Sequence, residues 1–504
     1  MAVDGGAFRP RLLRPLSAGW EGGSGGGQGP QVPGPPPEII SLPSVAAMTD
    51  RPLGERFALL TDFYQLTMAA CYFEQGMAEE ATFSLFIRKY PAHRGYFVAA
   101  GLEEALRYLK TLRFTEADLA YLESTGLFKA KFLDYLKGVR FTGDVWALPE
   151  GSIFFKDEPV LEVSAPIIEA QLAETFVINA VSLQTLIATK ASRSFYAAQG
   201  RPLIDFSLRR TQGTDAGLKV ARASYLAGFL GTSNVLAGKI YGLPIFGTMA
   251  HSFITSFEQE IDSFRVFSRV FPQTTTLLID TYDNMVGAKH AVQVAKEMAA
   301  RGDRLRFVRL DSGDIAAISK EVRRLLREEG QDQVRILASG GFDEFKIAQV
   351  LTDGGEVDSF AVGTKMGVSA DAPYFDCAYK LVKYGGRPVM KLSTGKVTLV
   401  DKKQIYRFYD EEGNFRRDTI ALREEAVPGG APQLTPVMQG GRLSGPRPDL
   451  KACRRHFLSE FARLPEVYKA LKEPALYPVD LSPGLADLQG RVAQEIHHRE
   501  LGES

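Results

Sequence analysis

The feature that most restricts this chain is a repeated hand-over from short apolar run to small polar residues. It occurs at Ile204-Asp205-Phe206, Phe246-Gly247-Thr248, Ile279-Asp280-Thr281, Leu310-Asp311-Ser312, Ala338-Ser339-Gly340 and Val362-Gly363-Thr364. A shorter candidate lies near 234–237. Helical stretches such as 284–301 and 315–329 separate most of these runs, so the pattern reads as consecutive β–α units with parallel strands and right-handed crossovers. Six or seven such units point to an irregular parallel (β/α) barrel, with an open doubly wound sheet as the alternative. In either architecture the polar residues collect at the carboxyl ends of the strands, where parallel α/β proteins build their sites.

The rest of the chain frames that core. Residues 1–47 are rich in Gly and Pro, too poor in apolar side chains to offset their ordering entropy, and read as a disordered tail. Arg9, Arg11 and Arg14 resemble a targeting signal without its apolar stretch, and Met48 opens protein-like sequence. Asp62 is expected to cap the first helix with Gln65 as its answering group, and Tyr64 reads first as a core aromatic, second as a stacking platform. Residues 82–88 alternate like a strand, 101–138 read as helices, and 139–165 and 387–410 show short strands broken by turns. Both strand-rich parts are assigned to one antiparallel sheet, forming a discontinuous α/β-sandwich domain of 48–165 plus 375–415. The barrel takes 166–374, and a helical C-terminal extension takes 416–504, with helices at 449–473 and 482–501.

Composition removes several function classes. Sixty basic residues balance sixty acidic ones, so no net field favours nucleic acid or an acidic membrane. No apolar run approaches the ~18–20 residues of a spanning helix. Cys71, Cys377 and Cys453 are odd in number and widely spaced, as in a reducing cytoplasm. Cys453 and His456 form only a lone C-x-x-H, too little for a zinc site.

The chemistry concentrates at the strand ends. ASGGFDE (338–344) and VGTKMG (362–367) place glycines, hence approachable backbone N–H groups, just before helices, as phosphate binding requires. Asp280 and Asp311 lie a step nearer their strands than Asp283 and Asp314, which read as helix caps. The first two suit ribose hydroxyls or Mg²⁺. Arg309 precedes Asp311 by two positions, so a strand points both the same way; they form a buried pair, or Arg309 meets a ligand carboxylate. Phe206 is placed to stack on a flat ring, and Arg209 or Arg210 to meet phosphate. His251 is the reactive side chain in 243–256, read as a buried strand ending in Thr248, Ala250, His251 and Ser252; a backbone carbonyl at a helix start would equally occupy it. Phosphate loops, ribose-type acids, a stacking aromatic, cations and one His suit a phosphoribosyl donor meeting an aromatic base.

TDFYQLTM (61–68), FSLFIRKYP (83–91), DFSLRRTQG (205–213), GTMAHSF (247–253), VRLDSGD (308–314), SGGFDE (339–344) and VGTKMG (362–367), taken in order, resemble nicotinate phosphoribosyltransferase of the type II phosphoribosyltransferases. The resemblance implies ATP-dependent joining of nicotinate to 5-phosphoribosyl-1-diphosphate, giving nicotinate mononucleotide and diphosphate in NAD salvage. It further implies Mg²⁺, held through Asp280, and a homodimer with shared sites. By position it makes His251 the residue phosphorylated by ATP, with Asp311 catalytic beside it. Tyr64 of the partner copy and Phe206 sandwich the pyridine, and Thr248 and Arg309 contact nicotinate. Arg209, Asp280, Gly340, Gly341, Gly363, Thr364 and Arg88 hold the phosphoribosyl diphosphate. The chain departs from the family's Thr-Leu-Pro-Gly at Thr398-Leu399-Val400-Asp401, which weakens any diphosphate role for Lys396 or Lys402. A nicotinamide-using relative, a silent phosphoribosyl-binding barrel and a phosphosugar aldolase are the competing readings; the last needs a strand-end lysine, for which Lys365 is the candidate.

Overall fold

A computed structural model describes residues 57–393 and 397–502, all within the unit Thr49–Ser504. The 1–47 tail, Met48 and Lys396 lie outside the described residues.

The antiparallel sheet has seven strands. In spatial order they are Arg387–Pro388, Cys377–Tyr384, Glu80–Ile87, Leu161–Pro166, Asp144–Ala147, Thr435–Gln439 and Arg442–Leu443. Glu80–Ile87 sits between a near neighbour and a very distant one, pairing Phe83 with Val163 on one side and with Leu381 on the other. Its polar–apolar alternation does not expose a face: every residue after Glu80 is buried. The polar side chains are satisfied internally, Thr82 by Ser164 at 2.8 Å and Ser84 by donation to Glu162, as buried hydroxyls require. Helices Leu102–Thr111, Glu116–Ser124 and Ala130–Gly138 occupy the expected region and contribute Leu106, Leu109, Phe132 and Leu136 to a core shared with the sheet.

The parallel sheet has six strands, ordered Gly231–Thr232, Leu203–Asp205, Ser359–Val362, Arg335–Ala338, Phe307–Leu310 and Thr276–Leu278. All its pairings are parallel. The architecture is therefore the expected mixed α/β arrangement. The ladder does not close: among the described residues no strand pairing joins Thr276–Leu278 to the opposite edge. Helices Asn284–Ala300 and Ile315–Glu328 lie between the strands as read from the sequence. Helix Glu174–Ala197 is the wall between the two halves, giving Phe176, Val177 and Ala180 to one core and Ile187, Ala188 and Ala191 to the other.

Several local expectations are corrected. The strand expected in 243–256 shrinks to one bridge, Ile245 to Thr232, because Pro244 lacks an amide donor and Gly247 follows directly. Residues 234–237 begin helix Val235–Tyr241, with Asn234 accepting from the Ala237 amide; the strand is Gly231–Thr232 just before. Asp62 caps no helix with its side chain: it accepts from the Thr175 hydroxyl at 2.8 Å, while Gln65 donates to Glu174 at 2.9 Å. Residues 387–410 divide between two sheets, since Lys403–Tyr409 belongs to a separate four-stranded sheet with Phe415–Leu422, Ala431–Pro432 and Val479–Leu481. The C-terminal region carries the expected helices, Leu450–Arg463 and Pro483–Ile496, and also lends Thr435–Gln439 to the large sheet.

Candidate active site

The strand ends of the parallel sheet gather the residues singled out from sequence. Arg309 and Asp311 do share a direction: Arg309 Nη2 donates to Asp311 Oδ1 at 2.7 Å. The guanidinium also donates through Nε to Ser339 Oγ at 2.8 Å, and through Nη1 to Thr248 Oγ1 at 2.9 Å and the Met249 carbonyl at 3.1 Å. Four of about five available N–H groups are thereby committed, leaving one on Nη2 for a ligand. Its charge lies 5.7 Å from the centre of the Phe206 ring, within cation–π range.

Asp311 is a strongly ionised carboxylate. Burial raises its pKa, but hydrogen bonds from Ser339 and Arg309, and the charge of Arg309, outweigh that and hold it below the usual range. Next to it, Asp280 Oδ2 accepts from the Asp311 amide at 3.2 Å and from Ser312 Oγ at 2.6 Å. Asp280 Oδ1 is buried without a hydrogen-bond partner. Asp283 and Asp314 are helix caps, accepting from the amides of Met285 and Val286 and of Ala317.

His251 is the first residue of the short helix His251–Thr255. Nδ1 lies 3.2 Å from Thr281 Oγ1 and Nε2 lies 3.8 Å from Asp311 Oδ2, with the side chain 45% exposed. The imidazole is thus fixed on one edge and open to solution on another.

The two glycine loops flank this cluster. Gly340 has φ of 92° and Gly341 of 67°, both in the region that favours glycine. A Cβ on Gly340 would stand 1.8 Å from the Asp311 carbonyl oxygen, whereas one on Gly341 meets nothing within 4 Å. The loop is therefore tight against Asp311 and open on its outer side. Gly363 caps the turn that begins at Thr364, and its Cβ position lies 3.1 Å from the Phe206 carbonyl oxygen. Lys365 pairs with Asp343 at 2.9 Å, joining the two loops.

Phe206 is anchored by its amide to the Val362 carbonyl at 2.9 Å, directly after Asp205. Burial raises the Asp205 pKa, although Ser207 and Thr232 donate to it. Phe206, Phe246, Gly247 and Thr248 line a cavity of about 530 Å³ that follows Ile204 and Leu337 down the inside of the sheet. Of the cluster described above only Phe206 and Thr248 line this hollow; His251, Arg309, Asp311 and the two glycine loops are not among its lining residues. Arg209 is exposed in the turn Leu208–Arg210, and its side chain pairs with nothing among the described residues.

Two sequence-chosen residues stay apart from the cluster. Tyr64 is 47% exposed on helix Phe63–Glu74, which corrects the core-aromatic reading. Arg88 pairs with Asp376. Neither contacts His251, Arg309 or Phe206 within one chain. Sequence reasoning passed over Thr281 and Ser339, which hold His251 and Arg309; the only signal was their place directly beside a strand-end Asp or Gly.

The comparisons with known proteins follow the same residues. Three family models match in succession: the nicotinate phosphoribosyltransferase N-terminal domain over 59–182, the nicotinate phosphoribosyltransferase family over 202–394, and its C-terminal domain over 431–489. Nicotinate phosphoribosyltransferase pncB2 of Mycobacterium tuberculosis is 47% identical over 427 residues, covering 84% of this chain and 91% of its own. The Homo sapiens enzyme of that name is 32% identical, covering 85% and 95%. The crystal structure of human nicotinic acid phosphoribosyltransferase superposes with a TM-score of 0.78 at 30% identity, over 86% of this chain and 99% of that one. Model matches spanning most of the described fold, relatives aligned over nearly their whole length, and a shared fold all point the same way: the chain belongs to the nicotinate phosphoribosyltransferase family, whose enzymes form nicotinate mononucleotide for NAD salvage.

Proposed function

We propose that this chain couples ATP hydrolysis to nicotinate mononucleotide synthesis through a phosphorylated His251, with Mg²⁺ bound at Asp280. The observation that carries the reading is the two-sided placement of the His251 ring, Nδ1 on Thr281 and Nε2 towards Asp311. A ring giving its Nδ1 proton to Thr281 keeps the Nε2 lone pair as nucleophile. Nε2 attacks the γ-phosphorus of ATP, the bond to the bridging oxygen breaks, and ADP departs. Water later attacks that phosphorus, the P–N bond breaks, and phosphate leaves with the imidazole restored.

In the transfer itself the pyridine nitrogen of nicotinate attacks the anomeric carbon of 5-phosphoribosyl-1-diphosphate as the bond to diphosphate breaks. No proton changes hands, so the residues act by position and charge. Phe206 offers a stacking face, Thr248 and the remaining Nη2–H of Arg309 face the carboxylate, and Arg209, Gly340, Gly341, Gly363 and Thr364 receive the phosphates. Asp280 Oδ1, a buried oxygen without a hydrogen-bond partner, fits a hard cation. Mg²⁺ typically takes one or two carboxylates and completes its shell with substrate phosphates and water. Among the described residues no group of three or more His, Cys, Asp or Glu could hold a metal unaided; when bound, the ion would neutralise diphosphate charge.

The same reading includes a homodimer in which Tyr64 of one copy completes the other's site, with Arg88 on the phosphoribosyl diphosphate. Tyr64 stands 47% exposed beside Phe63, itself 55% exposed, an aromatic pair that a second copy would cover. Three free cysteines support a cytoplasmic setting; among the described residues no helix is long and apolar enough to cross a membrane.

The test is product formation by mass with nicotinate, phosphoribosyl diphosphate and Mg²⁺, with and without ATP, in His251→Ala. ATP stimulation should vanish while slow transfer persists at high substrate. Undiminished stimulation would remove His251 from the role.

A further inference from the structure

Behind the two glycine loops lies a cluster that the chemistry above does not use. Helix Glu174–Ala197 carries Lys190 and Arg193 one turn apart. Lys190 Nζ lies 2.7 Å from Glu344 Oε2 and 2.6 Å from Asp371 Oδ1, with only 1% of its side chain exposed. Glu344 is the first residue of the helix after the Gly340-Gly341 loop, and Asp371 follows the short helix after Gly363. One buried ammonium thus touches a carboxylate from each loop's own continuation. Arg193 Nε adds a bond to Glu344 Oε1 at 2.9 Å, and Arg94 grips both oxygens of Asp371 at 2.9 and 3.1 Å. On the outer side Lys365 and Asp343 join the same two loops.

Three cations face two carboxylates in this cluster; Arg193 Nη1 and Glu344 Oε2 are both buried without a hydrogen-bond partner, and Lys190 holds Glu344 Oε2 by charge as an ion pair. An uncompensated buried charge is costly unless a counter-charge lies close. The loops it supports are the two read above as the phosphate-binding elements, where an anion is expected.

We propose that Lys190 is a positioning residue for the phosphorylated substrate: it fixes the two glycine loops in one register and leaves behind them a positive surplus that a phosphate or diphosphate group balances. The proposal rests on the reading of these loops as the phosphate-binding elements. Lys190 does not touch the substrate; it acts through Glu344 and Asp371. Binding at either loop therefore sets the other, and loss of the shared ammonium uncouples them.

The experiment compares wild type, Lys190→Met and Lys190→Arg by steady-state kinetics and by thermal stabilisation with inorganic diphosphate. In Lys190→Met the KM for phosphoribosyl diphosphate should rise about 10-fold, a typical size for loss of a coupling contact, and stabilisation by diphosphate should weaken. The KM for nicotinate should stay within about twofold, since Phe206, Thr248 and Arg309 make no hydrogen bond or ion pair with Lys190, Glu344 or Asp371. Lys190→Arg should recover most of the loss. Should the Met variant not fold, Lys190→Gln, whose amide reaches only one of the two carboxylates, carries the same comparison. A parallel rise of both KM values, or none, overturns the proposal. Thr364→Val separates the two levels: if it leaves diphosphate stabilisation intact, the phosphate reading of the loops fails; if it weakens it while Lys190→Met does not, only the positioning role fails.

Discussion

Arg309 Nη1 reaches Thr248 Oγ1 at 2.9 Å, tying the fifth strand of the parallel sheet to the segment beyond its opposite edge. Where the backbone ladder stops, a side-chain hydrogen bond links the two sides. The same guanidinium orders Asp311 and Ser339, so it acts as a strut within the site.

A single ammonium cannot span these partners, because Lys lacks the planar fork of Arg. In Arg309→Lys the KM for nicotinate should rise about 10- to 100-fold, as expected when a charged hydrogen bond of about 1.5–3 kcal/mol is lost. Steady-state kinetics at saturating phosphoribosyl diphosphate measure it; an unchanged KM would leave Arg309 a purely structural residue.

Ser339 donates to Asp311, and that bond is the first of the influences that depress the Asp311 pKa against the upward push of burial. A carboxylate with a lowered folded pKa contributes stability that is complete above its unfolded value of about 3.9 and is lost as pH falls through the folded value. Ser339→Ala should shift the acid limb of the kcat/KM profile upward. The pH–rate profile reads this directly, and an unmoved limb would separate Asp311 ionisation from turnover.

Much of this site was legible in the chain because parallel α/β units place their carboxyl-terminal strand residues together. Asp280, Asp311, Gly340 and Gly363 were found by that rule alone. The rule gives an edge, not its partners. Lys190 and Arg193 were not singled out in the sequence, because their carboxylates arrive from 151 to 181 positions away. Tyr64 carries the opposite lesson: an aromatic among apolar neighbours was read as core, although its helix shows one side to solvent. The 243–256 segment failed as a strand because Pro and Gly deny it a ladder, something a count of apolar residues does not register.

The adjacent glycines predict opposite tolerances. In Gly340→Ala the new methyl collides with the Asp311 carbonyl in a left-handed backbone, costing about 1–3 kcal/mol of local strain and displacing Asp311. Gly341→Ala meets open space and bears only the backbone penalty, about 1 kcal/mol. Denaturant unfolding should show the first variant clearly less stable than the second; equal stability would mean the loop relaxes freely.

Far from the site, Glu158 is fully buried beside Asp418, and one of its oxygens has no hydrogen-bond partner. Burial first, then Asp418, raise its pKa well above the ordinary carboxylate value. The folded state therefore keeps a proton that the unfolded chain gives up, so stability falls as pH rises from the unfolded value towards the folded one. Glu158→Gln removes that dependence while its side-chain oxygen still accepts from the Phe155 amide. Its melting temperature should exceed wild type at pH 8 and converge with it near pH 5; a constant difference would show that Glu158 is ionised in the fold.

The seven-stranded sheet also dictates a timetable. Glu80–Ile87 leaves the ribosome early but waits for Cys377–Tyr384 on one flank. At usual rates of synthesis that delay is roughly 15–60 s. Throughout it a strand of Phe, Leu and Ile presents a bare backbone edge to the crowded cell. Yield in a foreign host should thus be governed by how well that nascent flank is shielded, and slower translation would lengthen the hazard rather than relieve it.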